Sequence, residues 1–167
     1  MTALPFGLVE RPWSTILRGH SPLFNCLFNF AKRVDIRYQA FTVEKREQGD
    51  YLAIIAKLSK LISRFLYNNI EYFLSFDNVI LYYDNGQGEV TKLLITLFNA
   101  LFHNFTYRPA KPSDYKLSQV ADLFCTLELL SLKRSKSALS KSELRFFSTS
   151  VQLKKTYIEG MRRKRLD

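Results

Sequence analysis

The chain has 167 residues and a mass of 19.5 kDa, enough to bury a core as one domain. An apolar fraction of 47% with 14% aromatic residues excludes a disordered chain, and no apolar run reaches the ~20 residues that span a bilayer. The formal net charge of +10 favours acidic partners, a nucleic acid or an anionic surface.

Residues 1–22 carry Pro5, Pro12 and Pro22 with Gly7 and Gly19 and read as irregular or partly helical, with no basic or apolar stretch of a secretory signal. Pro22 opens an apolar run, Leu23 to Phe30, that predicts a short helix. Ile36 to Val43 mixes β-branched and aromatic residues in rough alternation and predicts a strand, and Glu44 to Gly49 a charged turn. Asp50 then suits the N-cap of a helix running to about Phe73. The stripe of that helix is Leu52, Ile55, Leu58, Ile62, Phe65 and Leu66, and Asn68-Asn69 weakens its end.

Val79 to Tyr83 is almost wholly apolar and predicts a strand buried on both faces. After Gly86 and Gly88 a helix is expected from Glu89 to about Phe102. Phe105 to Arg108 reads as a short strand stopped by Pro109 and Pro112, and Ser113 or Asp114 as the cap of a helix containing Asp122. Ser140 and Glu143 have capping-box spacing, and a last helix spans about Val151 to Arg163 with a basic outer face. Strands alternating with helices imply an α/β architecture whose sheet is at least partly parallel. The expected organisation is one domain over 1–167: a lead-in over 1–30, an α/β core over 31–134 and a basic helical tail over 135–167.

The charge is concentrated. Residues 131–167 hold 11 Lys and Arg against 3 Asp and Glu, a net +8, whereas residues 1–130 hold 14 against 12, a net +2. Lys154, Lys155, Arg162, Arg163, Lys164 and Arg165 are therefore the candidate contacts to a nucleic-acid backbone, a solvated helix end being the plain alternative. Asp84 closes the apolar run Val79 to Tyr83, at the strand end where parallel sheets hold ligands. Asn85-Gly86 equally marks an ordinary turn. Asp122 sits in a mostly apolar helix, and Gln119, Asp122 and Thr126 fall on one narrow polar stripe, with Glu128 pointing elsewhere as a surface or salt-bridge residue. Two such carboxylates suit a shared Mg2+ or Mn2+. His20 and His103 lack partners at ligand spacing and read as structural; Cys26 and Cys125 read as buried, reduced thiols of a cytoplasmic protein.

Val79 to Gln87, Asp114 to Leu123 and Cys125 to Leu130 resemble the bacterial domain-of-unknown-function 3800 family, the Gln119-Val120-Ala121-Asp122 segment most specifically. Ser142 to Phe147 and Leu153 to Tyr157 are similar to that family's C-terminal pattern, and the resemblance covers about Phe28 to Lys164. It implies a ribonuclease-H-like mixed sheet flanked by helices and a domain related to metal-dependent nucleases. Asp84 and Asp122 would be its catalytic and metal-binding acids, with Gln119 in support. The chain departs from the family in having no Asp-Glu-Ser-Gly-type strand, so the sheet is expected to be N-terminally incomplete. The domain is then expected to be a degenerate or truncated relative of those nucleases, and a non-catalytic nucleic-acid-binding or regulatory module follows as the alternative. So does a domain that pairs with itself or with a partner supplying the missing strand.

Overall fold

The structure, a computed structural model, describes residues 21–43, 51–83, 87–111 and 115–166. The expected irregular lead-in up to Gly19, the charged turn, the caps at Asp50, Ser113 and Asp114, and His20 lie outside those residues. The chain is mixed α/β, mostly helical, and divides into two compact units: Met1–Ala40 with Lys116–Asp167, and Phe41–Tyr115. Among the described residues no helix is long and apolar enough to cross a membrane.

The unit spanning Phe41–Tyr115 carries the sheet. Helix α2, Tyr51–Asn68, is followed by a short α3, Ile70–Leu74. The single helix expected to reach Phe73 is interrupted at Asn69, whose side-chain amide donates to the Phe65 carbonyl at 2.9 Å. An asparagine that bonds its own backbone competes with the helical ladder, and here it marks the break. Strand β1, Val79–Tyr83, runs parallel to β2, Phe105–Pro109, with Leu81 opposite Tyr107; α4, Gly88–Leu101, is the crossover between them. Leu81 and Tyr83 are buried while Ile80 is 39% exposed, so β1 buries one face and not two. Pro109 ends β2 inside the ladder, and the next donor, Ala110 N–H, reaches the Tyr83 carbonyl at 2.9 Å. Helix α2 packs on α4, and Ile62, Leu66, Leu94 and Phe98 are buried in this unit.

The other unit is helical. Helix α1, Ser21–Arg33, lies against α5, Lys116–Ser135, and α6 covers Lys141–Phe146. The last helix is continuous but irregular: α7, Ser150–Gln152, a π-helical run, Leu153–Ile158, and α8, Glu159–Arg162. Leu153 and Ile158, five residues apart, are both buried, which a π-turn permits on one side of a helix. They join Phe28, Val120, Leu127, Leu130 and Met161 in one apolar core. Phe24, Phe146, Phe147 and Tyr157 meet edge-on beside it, ring centroids 4.8–5.7 Å apart.

The strand expected over Ile36 to Val43 is not formed. Its alternation is real, since Ile36 and Tyr38 are buried and Arg37 is exposed. However, the segment finds a single ladder partner. Tyr38 N–H donates to the Lys164 carbonyl at 3.0 Å, and Leu166 N–H donates back to the Tyr38 carbonyl at 2.9 Å. Alternation reports burial of one side, whereas a strand also needs a run of backbone partners.

Candidate functional site

The basic tail forms the last helix because its apolar positions have somewhere to go. Leu153, Ile158 and Met161 are buried, which leaves Lys154, Lys155, Arg162 and Arg163 exposed. Lys154 meets Glu159 at 3.8 Å with both side chains about half exposed, a pair worth little in water. Arg162 donates from Nη2 to the Ser131 hydroxyl at 2.9 Å, so this partner is neutral.

Lys164 and Arg165 have a different part. Lys164 donates to the Val34 carbonyl at 2.6 Å, tying the tail to the residue just beyond α1. Arg165 lies 3.6 Å from Glu128, whose Oε1 also accepts the Tyr38 hydroxyl at 2.9 Å. Burial first, and then the charge of Glu128, push the Tyr38 phenol far above its ordinary pKa, so it remains a donor. Glu128 is thus the salt-bridge residue expected, although only 12% of its side chain is exposed. Arg162, Arg165, Gln39 and Leu166 line an open groove of about 470 Å³ in this unit.

Asp122 is exposed on α5 and Gln119 is half-buried. The polar stripe does not extend to Thr126, which is 2% exposed. Its hydroxyl donates to the Asp122 carbonyl at 2.7 Å, so a buried polar group is satisfied one turn back on its own helix. Asp84 lies outside the described residues. Among the described residues no three His, Cys, Asp or Glu side chains are grouped so as to hold a metal ion. His103 is exposed. Cys125 is half-buried, whereas Cys26, expected inside, is exposed on α1: its apolar neighbours Leu27 and Phe28 turn inward instead.

Sequence reasoning missed Gln39 and Tyr38 as neighbours of the basic tail. Their one signal is the burial alternation around Tyr38, which does not name a partner so far along the chain. No family model, curated protein or solved structure matches the chain.

Proposed function

We propose that this chain is a nucleic-acid-binding domain that grips the phosphate backbone with the basic end of its helical unit. One observation carries the reading: buried Leu153, Ile158 and Met161 anchor the last helix, leaving Lys154, Lys155, Arg162 and Arg163 exposed, with a half-exposed carboxylate at 3.8 Å from one of them. Cations held in this way displace the counterions condensed on nucleic acid, which makes affinity fall steeply with salt. Anisotropy of a labelled oligonucleotide titrated with the protein from ~50 to ~200 mM salt tests it. A steep linear fall of log affinity against log salt supports the reading; no binding, or binding indifferent to salt, sinks it.

A second reading adds phosphodiester hydrolysis in a domain of ribonuclease-H-like descent, and the pairing of β1 with β2 favours it. Ligands of parallel sheets collect beyond the carboxyl ends of the strands, and Asp84 is the residue after Tyr83 at that end of β1. Asp84 and Asp122 are each, in this reading, a candidate ligand for Mg2+ or Mn2+, with Gln119 one turn before Asp122 in support. Such an ion supplies charge that polarises a phosphoryl oxygen and acidifies bound water. Among the described residues the sheet has two strands, so a further strand from a second copy or another chain belongs to this reading. A melting midpoint raised by Mn2+ in wild type and unmoved in Asp122→Asn supports it; equal shifts in both, or none, overturn it.

A further inference from the structure

Strand β1 has an open edge, and the register of the sheet shows which backbone groups lie on it. Val79 N–H donates to the Asn104 carbonyl and Ala110 N–H to the Tyr83 carbonyl, each at 2.9 Å, and both bonds lie on the side of β2. Backbone groups alternate sides along a strand, so those of Val79, Leu81 and Tyr83 serve β2 while those of Ile80 and Tyr82 point the other way. Among the described residues no further strand meets them. A row of unpaired N–H and C=O groups is a template for another strand, and proteins ordinarily guard it with Lys, Pro or a bulge. Val79-Ile80-Leu81-Tyr82-Tyr83 has no charge and no proline. The outer edge of β2 is guarded. The same alternation turns Phe105, Tyr107 and Pro109 outward there, and Pro109 has no N–H to offer.

Charge points to the partner. Residues 41–115 hold 8 Lys and Arg against 8 Asp and Glu, a net charge of 0, so the +10 of the chain lies wholly outside the unit that carries β1. A neutral unit does not repel a copy of itself, and it draws in neither a basic nor an acidic partner. Leu74, Phe76 and Ile80 are exposed on β1 and just before it, and they extend the uncharged surface. An identical strand also fits by symmetry. Laid antiparallel across a two-fold axis at Leu81, Ile80 exchanges both backbone bonds with the partner's Tyr82, and Tyr82 with the partner's Ile80. The same pairs set a β-branched side chain against an aromatic ring, a favourable cross-strand contact.

We infer that β1 is a dimerisation edge, through which two copies of this chain join their sheets into one of four strands. Pro109 blunts each outer edge of that sheet, so assembly stops at two. The inference is independent of backbone binding, which uses the other unit, and it names the source of the further strand in the hydrolytic reading.

The test weighs the full chain by light scattering during size exclusion at micromolar concentration. Wild type should run at twice its 19.5 kDa. Ile80→Pro removes the outward N–H and no bond within the chain, as Pro109 does on β2, so it should run as a monomer and melt cooperatively. Ile80→Thr keeps the N–H and the branched shape and should remain a dimer. A monomeric wild type overturns the inference and leaves the edge to a strand of another chain. A dimeric Ile80→Pro, a monomeric Ile80→Thr, or a wild-type species larger than a dimer overturns it too. Loss of the cooperative melt in Ile80→Pro does the same, because the N–H would then be bonded within the chain. None of these outcomes bears on the salt dependence of oligonucleotide binding, which tests the backbone reading separately.

Discussion

The Tyr38 hydroxyl donates to Glu128 at 2.9 Å, joining residues 90 positions apart. Arg165 sits 3.6 Å from the same carboxylate oxygen. One side chain of α5 therefore ties the extended segment after α1 to the C-terminal residues that line the groove.

Tyr38→Phe leaves the ring packing against Phe124 but removes the donor, so it should cost about 1–3 kcal/mol in chemical denaturation, the range for bonds to a charged partner. The folded-state pKa of Tyr38 is raised, so its contribution is complete below the ordinary tyrosine value of about 10 and declines as pH rises beyond it. Wild type should accordingly lose stability above about pH 10 more steeply than Tyr38→Phe. Parallel alkaline profiles for the two would contradict this assignment.

Glu143 behaves oppositely. It is 3% exposed; Lys133 donates to its Oε1 and Ser140 N–H to its Oε2, each at 2.7 Å. Burial pushes its carboxyl up, but the Lys133 ammonium and the Ser140 bonds more than offset that and leave it below the usual value. Its contribution is thus present above the ordinary carboxylate pKa of about 4.3 and lost as pH falls through the depressed one. Glu143→Gln should cost about 1–3 kcal/mol at neutral pH, with the gap to wild type closing in acid. A gap that persists unchanged at low pH would show that packing, not charge, holds this residue.

Ser137 has a φ of 54°, a left-handed conformation just beyond α5. Side chains with a Cβ are strained there, and glycine is not. Ser137→Gly should raise stability by about 0.5–1 kcal/mol, read from the midpoint of a urea titration. A decrease of that size would mean that the serine side chain contributes more than its backbone costs.

The sequence makes some of this legible and not the rest, for physical reasons. The β1–α4–β2 succession is visible because Gly88 and the Phe105 run punctuate strong local patterns, and the Ser140–Glu143 box because its two bonds span three residues. Tyr38 reads as part of a strand because its pattern encodes burial, while its partners Glu128, Lys164 and Leu166 lie some 90 or more residues on. The division of labour within the basic tail is hidden for the same reason. Charge alone does not distinguish Lys164, which donates to the Val34 carbonyl, from Arg163, which is exposed.

The most direct measurement is the salt dependence of oligonucleotide binding by wild type and by the quadruple variant Lys154→Gln, Lys155→Gln, Arg162→Gln, Arg163→Gln. Each phosphate that is no longer neutralised should lower the slope of log affinity against log salt by about 0.7 for a single strand, so the variant's slope should fall by roughly 3 with its melting midpoint kept. An unchanged slope in a folded variant would contradict the account, because these exposed cations would then not be where the backbone is held.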